Sequence, residues 1–318
     1  MAARRRGVEV WWALLAAALF GAADFSAGIA SRRSPALTVT FLSQSTGVVL
    51  FGLSLVVLLE QPTGPALRWG GIAGAIAAVS VFLYYRALAL GRMGIVATIT
   101  AIWSAVVPFG LGLALGERPS TLAICGVIGV IFAVGMISYV PASTARPHTL
   151  PAAAARQKAF SMEGGVRFNR ILPRHGFLLR FSQTPGMFGA TLAGIGFGLL
   201  GVLLNQAGAL GNVLWPVFSA AVASVMVTGL MLAGSRSPLL FDRGNLPHII
   251  SAGLMQSLGV LCFLLAIQTG LVSIVAVIVA LSPAPTLLLA RMFLAETLSR
   301  NQLLGFVVAM LGIALVTV

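Results

Sequence analysis

Apolar residues in this chain gather in long stretches and do not alternate with polar ones. Ten stretches stand out, at 10–30, 37–59, 69–90, 94–115, 121–140, 187–209, 212–233, 247–267, 271–293 and 301–318. A helix needs about 20 apolar residues to cross the hydrocarbon of a bilayer, and each stretch is close to that length. A membrane β-barrel would show segments of about ten residues with alternating polarity, which this sequence lacks. Helices are then the structure that satisfies every backbone N–H and C=O inside lipid. The pattern predicts an all-α integral membrane protein with ten transmembrane helices.

The chain also repeats itself. Residues 87–139 recur as 266–318 at a constant offset of 179, so that Ala87, Gly91, Ile95, Glu117, Ser120 and Gly126 reappear as Ala266, Gly270, Ile274, Glu296, Ser299 and Gly305. Five helices precede a central linker and five follow it, which divides the chain into a first repeat at 1–140, a linker at 141–186 and a second repeat at 187–318. Because five is odd, a second copy threaded continuously through the membrane enters from the opposite side. The halves are therefore expected to be inverted five-helix repeats, an arrangement that sets a substrate site near the bilayer midplane and gives alternating access by rocking. Small residues four apart, at Gly70/Gly74, Gly112/Gly116 and Gly194/Gly198, predict close helix contacts.

Composition agrees with that environment. Hydrophobic residues make up 58% of the chain, charged residues 8%, and the mean hydropathy is +1.01, whereas soluble domains carry about 25% charged residues. The net charge of +13 invites a nucleic-acid role, since basic chains neutralise phosphates. Position argues against it: the arginines stand at the ends of apolar runs or in the linker, where they meet lipid headgroups and set topology. No nucleic-acid partner is expected. Arg4, Arg5 and Arg6 ahead of an apolar run resemble a secretory signal, but the low-charge stretch continues to Ala30, beyond a signal's apolar length, and reads as the first transmembrane helix.

The linker carries Arg146, Arg156, Lys158, Arg167, Arg170, Arg174 and Arg180 against Glu163 alone, and five prolines interrupt it. It reads either as a solvated connector or as a contact for anionic lipids, because Phe168, Ile171, Leu172, Phe177, Leu178 and Phe181 interleave with its basic residues. Counted literally, the positive-inside rule would place the N-terminus outside the cell.

Asp24 is the one acid well inside an apolar run. An ionised Asp at the centre of a transmembrane helix costs about 2.5–3.5 kcal/mol on insertion scales, so it is expected to be paired, neutral or in a wet cavity. A functional role competes with a structural one, a hydrogen bond to a neighbouring helix or a contact with Arg32 or Arg33. Ser80 and Tyr84 share a face of the third helix, followed by Tyr85 and Arg86. Tyrosines near a helix end also anchor the membrane interface, while the planar fork of Arg86 suits a substrate carboxylate. Trp103 and Ser104 of the fourth helix correspond to Ser282 and Pro283 of the ninth, and a proline there frees backbone carbonyls that a cavity or neighbouring groups must satisfy. Asn205, Gln206 and Gln256 are uncharged polar groups at membrane depth that either join helices or line a pathway.

Glu117 and Glu296 close their helices and suit topology and capping of the helix that follows. Cys125 and Cys262 lie inside predicted helices without a CxxC spacing and read as small packing residues. The histidines at 148, 175 and 248 form no zinc pattern, and nothing in the chain points to a metal or cofactor.

The run from Tyr84-Tyr85-Arg86-Ala87-Leu88 to Gly116-Glu117-Arg118-Pro119-Ser120, its second copy from Ala266 to Glu296, and Gly126/Gly305 beyond resemble the EamA family of the drug/metabolite transporter superfamily. The start, Trp11-Trp12-Ala13-Leu14-Leu15 through Gly21-Ala22-Ala23-Asp24-Phe25, is similar to one bacterial branch of it. The resemblance spans nearly the whole chain except the linker. Ala295 stands where the motif usually has glycine before the glutamate, and the long basic linker is unusual. The resemblance implies a bacterial inner-membrane carrier with both termini cytoplasmic and a cavity lined by helices one, three, four, six, eight and nine. It implies export of amino acids, metabolites or drugs. The function expected is therefore secondary transport of a small molecule, with Asp24 as the group for proton coupling. A membrane-embedded enzyme would need a nucleophile and base or a metal cluster at membrane depth, and the histidines are misplaced for either. A scaffold or regulator working through the basic linker is the alternative.

Overall fold

The computed structural model describes residues 2–90, 93–138, 186–208, 213–235, 241–294 and 300–317. Among these the chain is helical without strands: α1 (Ala2–Arg33), α2 (Ala36–Leu58), α3 (Gly64–Leu90), α4 (Met93–Ala114), α5 (Thr121–Ser138), α6 (Met187–Gly208), α7 (Leu214–Gly234), α8 (Leu246–Thr269), α9 (Val272–Val279), α10 (Pro283–Leu294) and α11 (Arg300–Thr317). Among the described residues eight spans are long and apolar enough to cross a membrane, one of them made of α9 and α10 together, and α5 and α11 hold shorter apolar stretches. Large apolar side chains such as Trp11, Val57, Phe132, Leu230 and Met310 stand exposed on the outside of the bundle. Water does not tolerate so extensive an apolar surface, and lipid does. The protein is a multi-pass membrane protein.

The run expected at 271–293 as one helix is two. After Val279 the N–H groups of Leu281 and Ser282 reach back three residues, to Ile278 and Val279, and Ala284 bonds Leu281. Pro283 and Pro285 supply no N–H, so the ladder cannot continue through them and the axis breaks at 280–282.

Helix contacts follow a rule of exchange. α1 packs on α8 as α3 packs on α6; α3 packs on α7 as α2 packs on α8; α4 packs on α6 as α9 and α10 pack on α1. The remaining major pairs, α2 with α7, α4 with α9 and α5 with α11, each map onto themselves when the first five spans are swapped for the last five. Glycine makes the approaches close: a Cβ on Gly74 would fall on the Ala220 carbonyl, one on Gly70 would lie 2.6 Å from Pro216 O, and one on Gly194 would lie 2.6 Å from Thr100 O. Gly116 departs from the expected contact pair. It meets no neighbour and ends α4 instead, with a φ of +94° that suits glycine. Cys125 also departs from the packing role expected of it, standing exposed on α5, while Cys262 is buried.

Acids and one amide fasten the halves at their helix ends. Glu60 accepts the backbone N–H groups of Val213, Leu214 and Trp215 at 2.8–3.2 Å, and its own carbonyl accepts the Trp215 indole N–H at 2.7 Å. Leu59 delivers it there from a left-handed backbone at φ 50°, a conformation that costs an L-residue about 1–2 kcal/mol. Glu117 accepts the N–H groups of Val272 and Ser273. It was expected to cap the helix that follows it, but Ser120 does that through Ala123 N, and Glu117 caps α9 from the other half. Its counterpart Glu296 lies outside the described residues. The amide of Asn245, ahead of α8, donates to Ala30 O and Ser34 Oγ at 2.9 Å.

Candidate functional site

A cavity of about 100 Å³ opens in the middle of the bundle. α1 brings Phe20 and Asp24 to it, α3 brings Val81, Tyr84 and Tyr85, and α4 brings Thr100 and Ser104. From the other half come Phe197 and Gly201 of α6, Gln256, Val260 and Phe263 of α8, and Ser282 at the break between α9 and α10. The lining residues form corresponding pairs in the two copies: Phe20 with Phe197 and Asp24 with Gly201 at an offset of 177, then Val81 with Val260, Tyr84 with Phe263, Ala97 with Ala276 and Thr100 with Val279 at 179. The cavity therefore sits where the two halves exchange.

Asp24 lies about 5 Å from the centre of its span, counting 1.5 Å per residue over Val8–Arg33. Its carboxyl is half-buried because it opens onto the cavity, although the surrounding helices enclose it. The Tyr84 hydroxyl lies within hydrogen-bonding reach of it. The Tyr84 ring is held in turn by an edge-on contact with Phe197, centroids 5.8 Å apart, and by Tyr85 at 6.2 Å. Exposures of 4% and 1% rule out an interfacial anchoring role for these two tyrosines. Tyr85 Oη is sealed from solvent and meets no partner in hydrogen-bonding geometry; the Ser43 hydroxyl beside it donates to Thr40 O at 3.0 Å. Gln256 and the Ser282 hydroxyl have no hydrogen-bond partner among the described residues and face the cavity.

Of the nine candidates named from sequence, Asp24, Tyr84, Ser104, Gln256 and Ser282 meet in this cavity. The other four lie elsewhere. Ser80 is buried, donates to Ile76 O at 2.7 Å and fills the space beside Gly196. Arg86 is exposed and outside the lining. Trp103 is 38% exposed with its Cβ set against Gly194, and Asn205 is half-buried on α6 away from the cavity. Sequence reasoning missed Phe20, Thr100 and Phe197 as lining residues. The matched Phe20-Gly21 and Phe197-Gly198 pairs were the available signal.

Those glycines explain how the first helix of each half reaches the site. A Cβ on Gly21 would lie 2.6 Å from Ser282 O at the α9–α10 break, and one on Gly198 would lie 2.7 Å from Val107 Cβ beside Pro108. Thr286 Oγ1 bonds Gly21 O at 3.0 Å across the first of these contacts. Each half thus presses a glycine of its first helix against a proline-containing segment of the other, broken in α9–α10 and continuous in α4.

The sequence profile of the EamA-like transporter family matches residues 7–139 and 184–318, most of the chain in two segments. The chain belongs to the EamA-like transporter family. This EamA-like chain is also 27% identical over 97 residues to an uncharacterised protein of Methanocaldococcus jannaschii, covering 30% of the chain and 71% of that protein. A crystal structure of a protein at 14% identity superimposes with a TM-score of 0.70, over 98% of this chain and 97% of the other, and carries the fold alone. A mostly apolar cavity with a few placed polar groups is the form that small-molecule sites in proteins commonly take.

Proposed function

We propose that this EamA-like protein is a secondary active transporter that exports a small metabolite, amino acid or drug-like compound across the bacterial inner membrane by alternating access, with Asp24 carrying the coupling proton. The observation behind this reading is the position of Asp24, an acid at membrane depth that opens onto the cavity shared by the two copies. Ionisable groups so placed commonly mark proton relays and substrate paths. Tyr84 and Tyr85 are the other ionisable groups lining that cavity.

The reading includes ten transmembrane helices arranged as two inverted repeats, residues 1–140 and 187–318, joined by the basic linker at 141–186. Three contacts support the inversion. The end of α2 caps the start of its counterpart α7 through Glu60, the end of α4 caps the start of α9 through Glu117, and the start of α8 holds the end of α1 through Asn245. α2 with α7 and α4 with α9 are counterparts that pack side by side, so an end beside a start means opposite directions. α8 likewise runs opposite to α1, and so to its counterpart α3, which shares the direction of α1 when successive spans alternate.

The test begins with a thermal-shift screen of purified protein against amino acids, nucleosides, sugars and cationic drugs, because a ligand of the native state raises its apparent stability. Solutes that bind are then followed across proteoliposome membranes under an imposed pH gradient. The wild type is expected to move them with the gradient, and Asp24→Asn to lose the gradient-driven flux. Unchanged flux in that variant removes Asp24 from the coupling role.

A further inference from the structure

We infer that the cavity takes a small organic amine, bound as its ammonium ion with the charge on Asp24 and the apolar body against the phenylalanine rings. The inference rests on the transport reading for its purpose and on the cavity's chemistry for its substance.

Asp24 is the one charged side chain among the lining residues, and no Lys, Arg or His joins it there. A bound anion would therefore face a carboxylate with no cation to offset it. A cation gains in the same place, because burying a charge is tolerable only when it is paired and hydrogen-bonded. The remaining polar groups suit an ammonium as well. Tyr84, Gln256, Ser104 and Ser282 each present an oxygen able to accept from its N–H groups.

The aromatic lining points the same way. Phe20, Phe197 and Phe263 approach from α1, α6 and α8, and a ligand cation near the face of an aromatic ring is drawn by the ring quadrupole. Size sets a limit. A closed apolar cavity of about 150 Å³ holds benzene; this one is smaller, about 100 Å³, and open on one side, so the body is a short alkyl chain or at most a single ring that stays partly in the opening.

Four ligands of one shape separate the possibilities: benzylamine, benzyl alcohol, benzoate and phenylglycine, titrated calorimetrically into the full-length protein in detergent. Benzylamine is expected to bind, with the alcohol, the anion and the zwitterion each weaker by about tenfold or more, the range of one charge-assisted contact. Asp24→Asn is expected to cut benzylamine binding by a similar factor while helical content stays unchanged. Equal or tighter binding of benzoate or phenylglycine overturns the proposal. So does benzylamine binding that survives in Asp24→Asn, and so does the absence of benzylamine binding. The four-ligand comparison on the unaltered protein stands whether or not the variant folds. Benzylamine that binds without crossing proteoliposome membranes removes the transport reading and leaves the amine site. Flux of another solute without amine binding does the reverse.

Discussion

Tyr84 and Phe263 occupy the same place in the two copies and differ by one hydroxyl. Across from them, Asp24 corresponds to Gly201, and each pair is in contact: Tyr84 reaches the Asp24 carboxyl, while a Cβ on Gly201 would lie 3.0 Å from Phe263 Cζ. One copy keeps a hydrogen-bonding pair where the other keeps a ring over a glycine. Since a phenylalanine already fits this place in the second copy, Tyr84→Phe is expected to fold normally and to cut gradient-driven flux about tenfold, for the loss of a bond to a charged acceptor. An unchanged flux at an unchanged unfolding temperature would reduce Tyr84 to a packing residue. The sequence made Asp24 visible because a lone acid at membrane depth needs a reason. It could not sort Ser104, Gln256 and Ser282 from Ser80, Trp103 and Asn205. Lipid and core are both apolar, so the inner and outer faces of such helices carry much the same residues, and only the packing shows which polar group turns inward.

At the scale of the element, the break at 280–282 brings Ser282 to the cavity and seats its carbonyl against Gly21. The prolines that cause it were legible, but the sequence predicted one continuous helix because an apolar run keeps its hydropathy through a break. Pro283→Ala restores an N–H able to bond Val279 O. Pro283 stands at the first position of α10, where proline is well tolerated, so the variant is expected to change the unfolding temperature little and to slow transport by stiffening the broken segment. Transport at an unchanged or higher rate would separate the break from the transport cycle. Glu60 was not legible at all. An acid just past a hydrophobic helix reads as a loop residue until the start of α7 is found 153 residues later with three N–H groups on its carboxylate.

Over the whole molecule, the duplication was plain in the sequence, and the exchange of partners was not. α1 finds α8, α3 finds α6 and α7, and α5 finds α11, so much of each half's inner surface is covered by the other half. Separately expressed fragments 1–145 and 184–318 are therefore expected to be degraded or aggregated when made alone. Made together, they are expected to co-purify and to bind the same solutes as the intact chain. Recovery of either fragment alone as a folded, monodisperse species would contradict this.

The same interlock has a consequence during synthesis. At roughly 5–20 residues per second, the ribosome needs on the order of ten to forty seconds to go from the end of α5 to the C-terminus. Through that interval the first five helices lie in the bilayer with Asp24 facing lipid or a provisional neighbour, and the carboxylates of Glu60 and Glu117 await N–H groups that have not been translated. The newborn protein is thus most open to membrane proteases while half made. Any change that delays the second half, a slow codon run in the linker as much as a mutation, is expected to lower yield without altering the finished molecule.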